Sequence, residues 1–236
     1  EVYTADCGEM TAVSYVLGIS HPTGYGGYCQ LNRASHMLLP MGTIAFRSSL
    51  VSAIVSSLAV YLLYHSLLLV FSTFPAAIAA LLFSVSFTFW SQANIQEVYG
   101  LHIFFICLLL FLTVKTAHND STRNLSLLGF CFGLAASHHL LTVFLAPGVV
   151  LYLLLGNKLN YLRSRLRDYL TAILFFLLGL SSLMYFPLRS SVNCSIRWMD
   201  CGHWYGFKYH ITGQQFRGMM FNVNYEILSS NILYYI

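Results

Sequence analysis

Two acidic side chains near the start of the chain are the first residues whose types and spacing could do chemistry. Asp6 and Glu9 are two of only eight acidic residues, and an apolar run follows them. Paired carboxylates can supply a general base or hold a divalent cation. The same spacing also fits a capping box, with Asp6 at the N-cap and Glu9 at the third helical position. The sequence leaves both interpretations open, because a cap can itself orient a catalytic carboxylate.

A turn follows the acids and places an imidazole close to them in the chain. The segment from His21 to Tyr25 reads His-Pro-Thr-Gly-Tyr. Proline and glycine at these positions are typical of a sharp turn, whatever the turn does. The pattern alone therefore predicts a turn and offers His21 only as a candidate functional side chain.

Further polar groups interrupt the apolar stretches, and each has a simple structural explanation. Glu97, in Glu-Val-Tyr, could begin a helix and favour its dipole. The pair His138-His139 is more typical of hydrogen-bonded histidines than of a metal site, because the sequence places no third ligand beside it. Arg189 could anchor a helix at the membrane interface, or its guanidinium could clamp a phosphate.

The composition places these residues in a membrane protein. The 236 residues are 57% hydrophobic and only 8% charged, and the mean hydropathy is +0.67. A soluble domain carries about 25% charged residues. The net charge of +4 does not indicate a nucleic-acid partner, since the basic residues form no single soluble face. We therefore predict an all-α polytopic membrane protein whose surroundings are membrane lipid.

The pattern divides the chain into three parts. Residues 1–42 are predicted to be an outer catalytic loop with short helices over 10–19 and 29–39, residues 43–187 a transmembrane helix bundle, and residues 188–236 an outer interfacial region. The chain begins without Met in what resembles a loop, so we expect a fragment that lacks an upstream helix and continues beyond its last residue. About six crossings are expected in the bundle, over 48–71, 74–90, 100–117, two short crossings in 125–156, and 169–187. Within 125–156, His138-His139 and Pro147-Gly148 favour a bend.

The basic loops predict the orientation. The densest basic cluster lies in 157–168, and with six crossings this loop shares a side with 72–73 and 115–124. The positive-inside rule makes that side cytoplasmic. An N-glycosylation sequon at Asn193 then lies on the outer side, whereas those at Asn119 and Asn124 lie inside. Ionisable residues that should meet on the outer face are Asp6, Glu9, His21, Glu97, His102, His138, His139 and Arg189.

The motifs and their order resemble one known family. The segments that carry the resemblance are Asp6 to Glu9, Leu17 to Tyr25, Ala45 to Arg47, Phe89 to Leu101, Gly133 to His138, Tyr185 to Arg189, Trp198, and His210 to Phe216. Together they resemble a multi-pass membrane family of bacteria and archaea, first catalogued as a domain of unknown function. Its animal relative is a protein O-mannosyltransferase of the endoplasmic reticulum.

The resemblance implies a GT-C type glycosyltransferase fold, with many membrane helices and a first outer loop that carries the catalytic acid. It also implies a sugar donor linked to polyprenyl or dolichyl phosphate and a hydroxyl acceptor on protein or glycan. The membrane would be the bacterial inner membrane or that of the endoplasmic reticulum, with the site on the outer or luminal face. Three departures concern the loop: Tyr3-Thr4-Ala5 replace the usual Gly-Gly before Asp6, Cys7 replaces a small residue, and Gly26 replaces a proline.

On this hypothesis Asp6 is the general base and Glu9 its catalytic neighbour, while His21 orients Asp6 or the acceptor. A divalent metal is an open alternative at the acids. Residues expected to bind donor or substrate are His21, Tyr25, Glu97, Tyr99, His138 and Arg189. The competing hypothesis is a transporter or scaffold, for which functional charges should lie near the membrane midplane in broken helices. Here the acids lie in loops and at helix ends, which favours the enzyme.

Overall fold

The computed structural model describes residues 6–119, 121–156 and 166–220, and within them every regular element is a helix. Helix α1 (Cys7–Val16) and helix α2 (Gly26–Leu38) form the outer segment. Both begin about three residues earlier than the apolar pattern predicts, because Asp6 and Tyr25 already stand at their N-terminal boundaries. The expected all-α architecture is confirmed.

Three helical segments are long and apolar enough to cross a membrane by length and composition. They are α3 (Ile44–Leu68), α6 (Tyr99–His118) and the segment Leu166–Ser190. That last segment comprises α9 (Leu166–Leu180), a 3-10 turn and α10 (Tyr185–Ser190). The protein is therefore an integral, polytopic membrane protein.

A bent pair adds a fourth candidate crossing. Helices α4 (Thr73–Ser84) and α5 (Phe87–Ala93) pass the same test only together, and they meet at 64°. The break follows from Ser84, Val85 and Ser86, where two serine hydroxyls bond back to carbonyls of the preceding turn. Such bonds compete with the helical ladder.

The stretch predicted to cross twice is interrupted where the sequence suggested. Helix α7 (Thr122–His138) ends at the histidine pair, a 3-10 turn runs over Leu140–Leu145, and α8 (Ala146–Gly156) follows. In the described residues the apolar stretch Leu140–Leu155 is shorter than a usual span. Three or four crossings, rather than about six, therefore satisfy length and composition. The basic loop at 157–165 lies outside the described residues.

The helices pack in two close pairs, α3 with α6 and α7 with α9. In the second pair Gly129 and Gly133 face α9, and a Cβ on Gly133 would overlap the Phe176 carbonyl. Small residues four apart allow helices to approach closely in a membrane. This packing brings the ends of α6, α7 and α10 to one side of the bundle.

The C-terminal part folds back onto the turn that carries His21. The Ile19 N–H donates to the Ile196 carbonyl at 3.0 Å, and the Trp198 N–H donates to the Ile19 carbonyl at 2.9 Å. Helix α11 (Trp204–Ile211), a 3-10 turn and α12 (Arg217–Met220) follow. The three parts predicted at 1–42, 43–187 and 188–236 are not tested as domains and stay a prediction.

Candidate active site

The two acids do not form the capping box that their spacing allows. Asp6 has helical backbone angles (φ −82°, ψ −3°), and its side chain makes no cap bond to α1. Glu9, one turn on, bonds instead to the turn that follows the helix. Both carboxylates are thus available for contacts outside their own helix.

His21 lies between the two acids. Its backbone N–H donates to Glu9 Oε1 at 2.7 Å, and its Nδ1 donates to Glu9 Oε2 at 3.0 Å. Its Nε2 lies 3.7 Å from Asp6 Oδ2. The exposed fraction of the side chain rises from 15% for His21 and 26% for Glu9 to 57% for Asp6. Asp6 is therefore the residue of the three that a substrate can reach most easily. We call Asp6, Glu9 and His21 the acid–histidine cluster.

The backbone of the turn explains why its sequence is restricted. Gly24 has φ +94°, and a Cβ there would overlap the Phe186 ring and His210 Nε2. The Ser20 hydroxyl donates to the Gly24 carbonyl at 2.7 Å. A glycine is needed at this position because both the positive φ and the close packing exclude a side chain.

Glu97 is a buried acid on the other side of α1. Only 7% of it is exposed, and the Cys7 thiol donates to its Oε1 at 3.7 Å. Burial raises the pKa of the Glu97 carboxyl, and the negative charge of Asp6 raises it further. The thiol is a weak donor, so it stabilises the carboxylate less than water would. Glu97 therefore keeps its proton to a higher pH than an exposed glutamate.

Aromatic and imidazole rings surround Tyr25. Its ring centroid is 5.4 Å from His21, 6.0 Å from His138 and 5.8 Å from His139. Burial, with smaller effects from neighbouring negative charges, raises the pKa of the Tyr25 phenol to about 12. Tyr25 is consequently a neutral hydroxyl at physiological pH, available to donate one hydrogen bond.

The predicted histidine pair divides into a buried and a more open member. His138 is buried, its Nε2 donates to the Val98 carbonyl at 3.2 Å, and its Nδ1 has no partner among the described residues. His139 stacks on His102 with ring centroids 4.2 Å apart. Tyr99 contacts the same stack, with 6.1 Å between the Tyr99 and His139 rings.

A cavity of about 280 Å³ opens beside the acid–histidine cluster, between the His-Pro turn, the break after α7 and the end of α11. Aromatic and imidazole rings form one wall, and small or aliphatic side chains form the others. We call this space the turn cavity. It is lined by His21, Pro22, Thr23, Tyr25, His139, Leu140, Leu141, Thr212, Gly213 and Phe216.

Arg189 is placed apart from the other predicted site residues. Its Nε donates to the Leu17 carbonyl at 2.6 Å and its Nη2 to the Val16 carbonyl at 3.4 Å, both at the C-terminal end of α1. These bonds satisfy carbonyls that a helix end leaves open. The structure thus brings Asp6, Glu9, His21, Tyr25, Glu97, Tyr99 and His138 to one region and leaves Arg189 at its margin.

Some neighbours of the cluster were not singled out as site residues from the sequence. Trp198 lies 6.1 Å from the His21 ring, and His139 lines the turn cavity. Trp198 is one of the motifs that carry the family resemblance, and His139 directly follows the segment Gly133 to His138, so these positions were the available signal. Cys7 gave no such signal, because its contact with Glu97 joins residues ninety positions apart.

Three side chains offer ligands for a cation. One donor atom from each of Asp6, Glu9 and His21 lies within 4.8 Å of the others. Carboxylate oxygens with an imidazole nitrogen suit a divalent ion. A bound ion would have to replace the bond between His21 Nδ1 and Glu9 or share its oxygens.

Comparisons with known proteins agree with the motifs. A family model described as the protein O-mannosyl-transferase TMEM260 N-terminal domain matches residues 6–162. Protein O-mannosyl-transferase TMEM260 of Mus musculus is 28% identical over 201 residues, which cover 82% of this chain and 28% of the mouse protein. The chain thus spans little more than a quarter of the length of that relative. No solved structure gave a significant match.

Proposed function

The chain belongs to the family of protein O-mannosyl-transferase TMEM260 N-terminal domains, and from this membership and the acid–histidine cluster we propose that the protein is a membrane glycosyltransferase. It moves a sugar, mannose or a similar hexose, from a polyprenyl or dolichyl phosphate to a hydroxyl on a protein or glycan. The active site lies on the outer or luminal face of the membrane.

One observation carries the proposal. An exposed carboxylate, Asp6, is held next to an imidazole that a second acid fixes through two bonds, and a cavity opens beside them. A general base must be open to its substrate and held in one orientation. Asp6 meets the first condition by its exposure, and Glu9 and His21 support the second.

The transfer step follows from these positions. The Asp6 carboxylate accepts the proton of the acceptor hydroxyl as the acceptor oxygen attacks the anomeric carbon. The bond from that carbon to the phosphate oxygen breaks, and its electron pair leaves with the lipid phosphate. Direct displacement inverts the configuration at the anomeric carbon. Glu9 acts by fixing the His21 ring, whose Nε2 lies 3.7 Å from Asp6 Oδ2. When His21 is protonated, its positive charge stabilises the Asp6 carboxylate.

Binding of the donor and acceptor draws on the residues around the turn cavity. Tyr25 and Tyr99 offer neutral hydroxyls, and Glu97 offers a carboxyl for a sugar hydroxyl. The charge that develops on the leaving phosphate needs a donor group. His138 uses its Nε2 proton on the Val98 carbonyl, so its Nδ1 could donate to the phosphate only in a doubly protonated ring, and its predicted role in donor binding stays a prediction. The assignment of Arg189 to the donor phosphate stays a prediction.

The placement of ionisable groups argues against the transporter alternative. Asp6, Glu9, His21 and Glu97 all lie before or between the membrane helices, at their ends rather than in their middles. A transport site is expected near the midplane, in interrupted helices. The bent pair of α4 and α5 is interrupted, but its break carries only serine and valine.

A divalent cation at the acid–histidine cluster is a further proposal for the same reaction. A cation held by Asp6, Glu9 and His21 would supply positive charge for the leaving phosphate. We expect EDTA to abolish transfer and added Mn²⁺ or Mg²⁺ to restore it. Full transfer in the presence of EDTA would contradict a metal and leave the three side chains to act alone.

The decisive test is sugar transfer by the full-length protein in membranes supplied with a radiolabelled polyprenyl-phosphate mannose. Asp6→Asn keeps the shape of the side chain and removes the base, so transfer should fall at least about 100-fold. Asp200→Asn is the matched control, an exposed acid outside the cluster whose carboxylate accepts only from the Gly202 N–H in the described residues. Near wild-type transfer by Asp6→Asn would remove Asp6 from the role of base.

A further inference from the structure

A second cavity, of about 410 Å³, lies at the other end of α1 from Asp6. We call it the Arg189 pocket. Its wall comes from the ends of α1 and α10, from α2 and from the 3-10 turn between α9 and α10. The lining includes Leu17, Gln30, Ser181, Ser182, Met184 and Arg189.

The Arg189 pocket lies at the far end of α1 from Asp6 and need not hold the phosphate of the reacting donor. Arg189 bonds the Leu17 carbonyl, and α1 has ten residues, which is about 15 Å of helix. In the reacting complex the base lies within about 3 Å of the acceptor hydroxyl, and the reacting atoms are about 3.3 Å apart. The leaving phosphate oxygen therefore lies within about 10 Å of the base. The pocket can therefore bind a phosphate other than that of the reacting donor.

Its polar groups suit a phosphate. The two bonds of Arg189 use Nε and one N–H of Nη2, which leaves three of its five N–H groups without a described partner, and Arg189 lines the pocket. The amide of Gln30 adds a donor at the exposed rim, whereas the Ser181 hydroxyl already donates to the Leu178 carbonyl. No Asp or Glu is among the described lining residues. A guanidinium with further donors and no opposing acid is a typical anion site.

The surroundings indicate that the anion belongs to a lipid. Ser181 to Arg189 form the last part of the membrane-crossing segment Leu166–Ser190, so the pocket lies where the crossing ends. Met184 and Leu188 line it and are 52% and 64% exposed. Leu177 and Leu178, one turn deeper, are also more than half exposed. A headgroup pocket that continues into exposed apolar side chains matches a molecule with a phosphate and acyl chains.

We propose that the Arg189 pocket binds the phosphate headgroup of an anionic phospholipid, whose acyl chains lie along the exposed apolar face of α9 and α10. The bound lipid would fix Arg189, and through it the C-terminal end of α1, at the membrane surface. This inference does not rest on the glycosyltransferase proposal, because binding of the lipid is measured without any transfer reaction.

The test is native mass spectrometry of the full-length protein titrated with phosphatidylserine, and with phosphatidylcholine as the zwitterionic comparison of no net charge. One basic residue near an anionic lipid is worth about 1 kcal/mol, so Arg189→Gln should weaken phosphatidylserine binding about fivefold. Arg197→Gln is the matched control, since Arg197 is an exposed arginine of the same outer segment that bonds Ser190 and is absent from the pocket lining. Gln30→Leu changes the rim without touching the bonds of Arg189 to α1, and it should weaken binding in the same direction.

Two outcomes would overturn the proposal. Equal losses in Arg189→Gln and Arg197→Gln would mean that only surface charge is measured. Displacement of phosphatidylserine from the wild type by equimolar dolichyl phosphate, with the displacement lost in Arg189→Gln, would assign the pocket to the sugar donor instead. If Arg189→Gln does not fold, Gln30→Leu decides, and unchanged phosphatidylserine binding in that variant contradicts the pocket.

Discussion

At the scale of the residue, Glu97 predicts how stability depends on pH, because it is buried and its hydrogen-bond donor, a thiol, is weak. The Cys7 thiol is its only described side-chain donor, and the charge of Asp6 opposes its ionisation. Burial and that charge raise the pKa of Glu97 above its usual 4.5 in the folded state only. At a pH between 4.5 and the higher pKa of the folded state, the Glu97 carboxyl is protonated in the folded protein and ionised in the unfolded chain. Folding therefore becomes less favourable as pH rises through this window.

Replacing Glu97 with glutamine removes that dependence. At low pH, Glu97→Gln and wild type should unfold at similar temperatures, because both carry a neutral side chain. As pH rises through the folded-state pKa of Glu97, the wild type should lose stability relative to the variant. Thermal unfolding of both purified proteins at pH values from about 4 to 8 measures the difference. A difference that stays constant across that range would mean that Glu97 titrates alike in both states.

Single residues also show how far the sequence could predict the site. Asp6, Glu9 and His21 lie within sixteen positions, so a short helix and a turn suffice to bring them together. Local sequence does not decide what Glu9 does, however, because the spacing fits both a capping box and a bond to His21. Arg189 illustrates the opposite case, since its partners at Val16 and Leu17 depend on how α10 meets α1. The roles predicted for all these residues still await activity measurements.

At the scale of the element, the pairing of α7 with α9 depends on glycine. A Cβ on Gly133 would overlap the backbone of Phe176 and Leu180 on α9, so Gly133→Ala must push the helices apart. Overpacking of this kind costs about 1–3 kcal/mol. Gly148→Ala is the matched control in α8, where a Cβ would meet nothing within 4 Å. It should be neutral or stabilising by up to about 1 kcal/mol, since alanine favours a helix.

Thermal unfolding in detergent measures both glycine variants. A lower midpoint for Gly133→Ala, together with an unchanged or higher midpoint for Gly148→Ala, is the expected result. The same loss in both variants would show that the cost lies in the helices themselves and not in the α7–α9 contact.

The elements were predicted well where hydrophobicity alone decides and less well where packing decides. Length and apolar composition place α3, α6 and the segment Leu166–Ser190 close to their observed bounds. The adjacent histidines correctly mark the end of α7. Pro147 and Gly148 also favour a bend, yet both lie inside α8, with proline in its first turn where it is tolerated. Of the about six predicted crossings, three or four pass the test of length and composition in the described residues, because α7 and α8 are short.

At the scale of the whole molecule, the fold gathers one end of several helices over the outer segment. Glu97 precedes α6, His138 ends α7, and α10 carries Tyr185, whose hydroxyl donates to the Gly18 carbonyl at 2.7 Å. The C-terminal segment closes over the His-Pro turn through the bonds of Ile19. The expectation that these groups share one membrane face depended on the number of crossings. Their meeting in the structure rests on contacts instead, so it holds without that count.

The side of the membrane that this end faces is the last prediction. Asn193 begins the sequon Asn-Cys-Ser, is exposed, and lies beyond α10 at the end that carries the acid–histidine cluster. At the opposite end, Asn119 follows α6 and Asn124 lies in the first turn of α7. If the cluster faces the lumen, expression of the full-length protein in endoplasmic reticulum membranes should glycosylate Asn193 and leave the other two unmodified. Loss of the endoglycosidase-sensitive mass shift in Asn193→Gln, with the shift retained in Asn124→Gln, would establish this orientation. Modification of Asn119 or Asn124 would place the cluster on the cytoplasmic side, where no lumenal acceptor could reach it.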